Sequence, residues 1–113
     1  MEHSVRPWGE YQVLAESPSY KIKEISVNPG KRLSYQSHLK RAEHWLILSG
    51  AGLFTLNGEV KPISVGDTCA IEMGGKHRIE NNGSEVLKFI EIQTGDYFGE
   101  DDITRYEDDF GRI

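Results

Sequence analysis

Cysteine is almost missing from this chain of 113 residues: Cys69 stands alone, which excludes an intramolecular disulfide and a cysteine zinc cluster. Long apolar runs are missing too. None approaches the roughly 18 residues that a bilayer span requires, and Met1 to Tyr11 lacks the apolar stretch of a secretory leader. A cytoplasmic address with no membrane partner is therefore expected. There is no low-complexity stretch, no linker and no length for a second domain, so residues 1–113 read as one domain. Basic residues are in deficit, 13 Lys and Arg against 18 Asp and Glu, and a net charge of −5 weighs against nucleic acid as a partner.

That deficit is local. Residues 1–94 hold equal numbers of acidic and basic side chains, and the excess lies in residues 95–113, where Arg105 and Arg112 face seven carboxylates. Helical periodicity is also scarce. What is present is β-patterning, with alternation over Ile25–Val27 and Leu33–His38. The richer apolar runs His44–Leu48 and Val86–Ile92 predict strands buried on both faces. Two Asn-Gly pairs predict two-residue hairpins, one joining Gly52–Leu56 to the segment after Glu59, the other joining Arg78–Asn81 to Val86–Phe89. Short, closely spaced strands indicate an all-β sandwich or barrel. One helical turn is expected around Asp101–Tyr106, capped by Asp101 or Asp102.

Histidines carry the first chemical signal. Gln36 and His38 lie two apart on an alternating strand and so share a face. Glu43 follows after a connection long enough to enter a neighbouring strand, and His77 follows the Gly74-Gly75 turn. Two imidazoles, a carboxylate and an amide oxygen could converge on one divalent ion; zinc suits them best, and manganese, iron, cobalt or nickel would be tolerated. His44, beside Glu43, points to the opposite face and reads as structural, and His3 lies too near the end of the chain to count.

The spacing of Gly30, Gln36, His38, Glu43 and Gly50, followed by that of Gly66, Glu72, Gly74, His77 and Asn81, resembles the two motifs of the cupin superfamily. Motif 1 spans 30–50 and motif 2 spans 66–81. Gln36 replaces the first histidine of many cupins, and Glu72 replaces a proline. The string from Leu33 to Trp45 is similar to the signature of type II mannose-6-phosphate isomerases, Gln-x-His-x-x-Arg-x-Glu-His-Trp. Arg6–Tyr11 resembles the opening of that family, and Gln93–Ile103, with Arg105 and Asp108–Arg112, its ending. In that family the domain is commonly the C-terminal part of a bifunctional mannose-1-phosphate guanylyltransferase. Nothing here resembles the nucleotide-binding loop of that partner. The resemblance implies a cupin double-stranded β-helix (a jelly-roll barrel), one divalent metal on Gln36, His38, Glu43 and His77, and a homodimer. It implies a small-molecule sugar phosphate as ligand.

Interconverting mannose 6-phosphate and fructose 6-phosphate needs a Lewis acid, a base that carries a proton between C1 and C2, and cations for the phosphate. Arg41 lies within the signature, and its planar guanidinium can grip oxyanions bidentately. Arg78, Arg105 and Lys31 are the next candidates for the phosphate. For the base, Glu72, Glu80 or a hydroxide on the metal are open, and Glu72 and Arg41 are taken as the catalytic pair. Trp45 is expected to pack the barrel. The rival readings are a metal-containing cupin that binds sugar phosphates without turnover, and a different metal-dependent cupin enzyme.

Overall fold

The computed structural model describes residues 2–113. Eleven strands fold into two antiparallel sheets. The first sheet holds β1 (His3–Arg6), β2 (Gly9–Glu16), β3 (Tyr20–Val27), β5 (Arg41–Ser49), β8 (Thr68–Ile71) and β10 (Leu87–Gly95), in the order β1-β2-β3-β10-β5-β8. The second holds β4 (Tyr35–Ser37), β6 (Ala51–Leu56), β7 (Glu59–Ser64), β9 (His77–Glu80) and β11 (Thr104–Glu107), in the order β11-β4-β9-β6-β7. From β3 to β11 the chain crosses from one sheet to the other at every step except the β6–β7 hairpin, as the winding of a jelly roll requires.

The sheets close on an aromatic core. Trp45 of β5 stacks on Phe89 of β10 with ring centroids 4.5 Å apart, and meets Phe54 of β6 edge-on at 5.4 Å. Val27, Ile47, Ile79 and Leu87 fill the space around them. Trp45 is thus barrel packing, as expected, and such aromatic pairs add about 0.5–1.5 kcal/mol beyond the area they bury.

Three expectations fail for identifiable reasons. The runs around β5 and β10 are buried on one face only: Leu46, Leu48 and Ile92 point outward and stand 42%, 40% and 38% exposed. Their apolar outer faces hid the alternation of the strands. Asn57-Gly58 does form the β6–β7 hairpin, with φ of +49° and +84°. Asn82-Gly83 forms none, because β9 pairs with β4 and β6 whereas β10 pairs with β3 and β5. There the Asn81 amide donates to the carbonyls of Val27 and Glu85 and its Oδ1 accepts from the Gly83 N–H, which leads the chain across to the other sheet.

The tail holds no helix. Asp102 accepts the N–H groups of Leu39 and Lys40 at 3.0 and 2.9 Å instead of capping its own segment, and residues 104–107 pair with β4 as β11. The acidic residues of the tail are spent on contacts: Glu100 with Lys23, Asp109 with Arg32, Glu107 with Arg78 and Asp108 with Arg112. The charge excess is a packed part of the fold.

Candidate metal centre

Strand alternation sends Glu43 and Trp45 of β5 and His77 of β9 into the barrel, where all three are buried. His38 follows the end of β4 and turns inward with them. Gln36 lies directly opposite His77 in the β4–β9 register. The donor atoms of His38, Glu43 and His77 all lie within 4.8 Å of one another. His38 Nε2 is 3.5 Å from one oxygen of Glu43, and His77 Nε2 is 3.8 Å from the other.

Hydrogen bonds behind the rings set the tautomers. The Nδ1–H of His38 donates to the Asp102 carbonyl at 2.7 Å, and that of His77 donates to the Gly75 carbonyl at 2.9 Å. A carbonyl can only accept, so both Nδ1 atoms carry the proton and both Nε2 lone pairs face the centre. His77 Nε2 is buried without a hydrogen-bond partner. Such an orphan costs about 1–3 kcal/mol unless something else binds it. Burial pulls His38 down to about 4, so its ring is neutral near pH 7. For Glu43 burial acts upward, but His77, Arg41 and His38 outweigh it and hold the carboxyl at about 2. The neutral His38 ring and the ionised Glu43 carboxylate are in the states a divalent ion needs, and His77 offers its unpartnered Nε2 beside them, so the donor set fits one.

The carboxylate of Glu43 is oriented from behind. Trp45 Nε1–H donates to one oxygen at 3.0 Å and Arg41 Nε–H to the other at 2.8 Å. Arg41 also reaches His38 Nε2 through Nη2 at 3.2 Å, while its Nη1 is buried without a partner. Arg41 is therefore a neighbour of the metal donors as well as a candidate anion clamp.

Beside these donors opens a cavity that Gln36, His38 and Arg41 line. Arg105 lines it too, joined by Arg6 and Arg112 from the two ends of the chain. Burial and the neighbouring Arg112 pull Arg105 below its ordinary value, Asp108 offsets part of this, and Arg6 adds to it. Its Nε is buried with no hydrogen-bond partner. Cations crowded together with unspent donors are an anion site in waiting.

The other sequence candidates fall elsewhere. Glu72 is exposed on the turn after β8, in a shallow groove with Leu56, Asn57 and Met73, and cannot reach the cavity. Lys31 is exposed in the Pro29-Gly30 turn, outside the cavity lining. Arg78 follows His77 on β9 and so points to the opposite face. There its Nε–H donates to the Leu33 carbonyl and its Nη1 pairs with Glu107 at 3.0 Å. Glu80 shares that outer face with Arg32 and Tyr35. His44 is exposed on the outside of the first sheet, and His3 pairs with Glu10 on the surface.

Sequence reasoning missed Glu91, Gln93 and Lys23, all buried. Glu91 and Lys23 line the cavity, and Gln93 lies opposite Glu43 in the β10–β5 register. The signal was there in the alternation: residues 87, 89, 91 and 93 share one face of β10, and two of them are polar. Burial pushes the Glu91 carboxyl up to about 7, with the nearby Glu43 adding to it against the pull of Lys23 and Arg41.

The model of the family described as "Mannose-6-phosphate isomerase C-terminal" matches residues 1–108. A mannose-1-phosphate guanylyltransferase of Salmonella montevideo is 44% identical over 107 residues, which are 95% of this chain and 23% of that protein. The chain thus spans about a quarter of the length of the curated relatives it matches. Among solved structures, an Acidithiobacillus ferrooxidans protein provisionally assigned as a sugar phosphate isomerase is 31% identical with a TM-score of 0.63, covering 67% of this chain and 50% of that one. A Klebsiella pneumoniae protein with a double-stranded β-helix domain is 22% identical with a TM-score of 0.74 over 85% of this chain and 77% of its own, and shows the shared cupin fold.

Proposed function

Since the chain belongs to the mannose-6-phosphate isomerase C-terminal family, we propose that it interconverts mannose 6-phosphate and fructose 6-phosphate. One observation carries the reading: a buried His-Glu-His donor set meets, through His38, a cavity lined by an arginine cluster that has unspent donors. His38, Glu43 and His77 would hold a divalent ion, zinc by preference, with Gln36 as the fourth donor. When bound, the ion supplies Lewis-acid polarisation of the substrate carbonyl and its adjacent hydroxyl.

The chain's own residues do the rest. Arg105, flanked by Arg6 and Arg112, holds the phosphate and fixes the sugar's direction in the cavity. Arg41 steadies Glu43 through Nε and offers its unpartnered Nη1 to an oxygen of the sugar. Trp8, Ile25 and Leu33 line the cavity with apolar surface, which keeps the field of these charges strong.

Metal analysis of the purified chain followed by a coupled fructose 6-phosphate assay tests the proposal. Turnover is expected to stop on chelation and return with zinc, and Arg105→Ala is expected to raise KM about tenfold or more, the worth of a charge-assisted pair. A chain that binds neither metal nor sugar phosphate would overturn the reading. Tight mannose 6-phosphate binding without turnover would select the binding-module reading instead.

A further inference from the structure

The isomerase reading leaves one chemical role unfilled, since aldose–ketose exchange needs a group that lifts a proton from one carbon and sets it on the next. Each basic group lining the cavity can be weighed by what already occupies it. His38 presents its Nε2 lone pair to the metal position, and Glu43, its neighbour there, does not line the cavity. Glu100 is tied to Lys23 Nζ at 2.7 Å. The Tyr11 hydroxyl accepts a hydrogen bond from Arg6 Nη2 at 3.3 Å and donates one to Glu2 at 3.4 Å.

Glu91 is different. It sits in the middle of β10 with Trp45 opposite it on one side and Lys23 opposite it on the other, so it projects into the barrel from the centre of the first sheet. It is 5% exposed and lines the same cavity as Gln36, His38 and Arg41. The Lys23 ammonium makes its ion pair with Glu100, not with Glu91, and lies over the Tyr11 ring, 4.2 Å from its centroid. One oxygen of Glu91 accepts the Gln93 amide N–H. No hydrogen bond or ion pair among the described residues reaches the other. A buried carboxyl without a cation bonded to it costs stability and adds nothing to the packing of a β-barrel. Gln93 fixes the carboxyl plane and leaves the second oxygen for the cavity.

We infer that Glu91 is the catalytic base of the isomerisation, a deduction that rests on the isomerase reading above. Its carboxylate takes the proton from C2 of the open-chain aldose. The C2–H electron pair becomes the C1=C2 bond of an enediol as the carbonyl pair withdraws onto O1. The Glu91 carboxyl then returns that proton to C1, the C1=C2 pair forms the new C1–H bond, and an oxygen pair on O2 closes the ketone as the O2 proton passes to O1. One proton moves from C2 to C1 and one from O2 to O1, so no oxidant or co-reactant is consumed.

The test compares the metal-loaded full chain with Glu91→Gln, Glu91→Asp and Glu91→Ala, following turnover, bound metal and deuterium uptake into fructose 6-phosphate from heavy water. Glu91→Gln keeps the acceptor for Gln93 but removes the base. It is expected to lose about 10²–10⁴-fold in kcat, with KM and metal stoichiometry held within about twofold and with deuterium uptake abolished. Glu91→Ala is expected to regain part of its rate with added formate, a readout that a merely structural role would not move. Should Glu91→Gln fail to fold, Glu91→Asp keeps the charge and displaces the carboxylate, and is expected to lose rate at unchanged KM. Retention of kcat and exchange within about threefold in Glu91→Gln or Glu91→Asp would overturn the assignment while leaving the isomerase reading intact. A wild-type chain that neither converts the sugars nor exchanges deuterium would overturn both.

Discussion

At the residue scale the cavity holds two ionisable groups displaced in opposite senses by the same burial. Glu91 is raised from 4.5 to about 7, so the folded state binds more protons than the unfolded state between those values. Its contribution to stability is full below pH 4.5 and is lost as the pH rises through about 7. Above that, the buried carboxylate costs up to about 3 kcal/mol. Glu91→Gln should therefore unfold at a clearly higher temperature than the wild type at pH 8, yet at nearly the same temperature at pH 4.5, in the metal-free chain. An equal shift at both pH values would show that packing rather than ionisation sets the difference. His38 runs the other way. Lowered from 6.5 to about 4 by burial, it is neutral in the folded chain, and the stability that this neutrality carries falls away as the pH drops through that window. Glu43 adds to the loss below pH 4.5. The metal-free wild type should accordingly lose stability steeply on acidification below about pH 4.5, where Glu91 no longer compensates, as circular dichroism melts at stepped pH would record.

Among the elements, the segment between β10 and β11 does more than close the barrel. Asp102 secures the turn between β4 and β5 through the Leu39 and Lys40 N–H groups, and its carbonyl sets the tautomer of His38. It is a second layer behind the metal donors, and such partners commonly change metal affinity 10–100-fold. Asp102→Ala should weaken zinc binding by about that factor in a competition titration, with every donor residue still present. Unchanged affinity would mean that the β4–β5 turn holds its shape without the carboxylate. The same element marks a limit of sequence reading. The Asp-rich stretch looked like a helix cap because a carboxylate before a polar run offers the same hydrogen bonds to any nearby N–H. Only the neighbouring turn, 62 and 63 residues earlier in the chain, decided which N–H groups it took.

Over the whole molecule, a net charge of −5 conceals a cavity of the opposite sign. Five cationic side chains, among them Arg6, Lys23 and Arg41, line it against the two carboxylates of Glu91 and Glu100. Acidic groups of the tail also neutralise cations away from it, as Asp109 does for Arg32 and Glu107 for the buried Arg78, while Asp108 pairs with Arg112 of the lining. An anion would thus be drawn to the cavity by a field that salt should screen within about 10 Å at 0.1 M. Raising sodium chloride from about 0.05 to 0.5 M should increase KM for mannose 6-phosphate several-fold and leave kcat little changed. A salt-independent KM would argue against the arginine cluster as the phosphate site.

By itself the sequence determined the strand pattern, the Asn57-Gly58 hairpin, and His38, Glu43 and His77 as a donor set, because each rests on local spacing or on a motif written along the chain. Arg41 and Arg105 were legible for the same reason. Glu72, Lys31 and Arg78 looked equal to them, since all stand beside the motifs in the chain. Which side of a strand or turn a neighbour occupies, and therefore whether it meets the cavity, is a property of the closed barrel. Glu91 lay hidden within an apolar run. Its carboxyl, with one oxygen left free for the cavity, emerged only when β3 supplied Lys23, the tail drew that lysine to Glu100, and β5 brought the metal donors alongside. Tertiary structure decided these matters because hydrogen-bond and charge partners are chosen by distance in space, and the groups concerned come from strands that are remote in the chain.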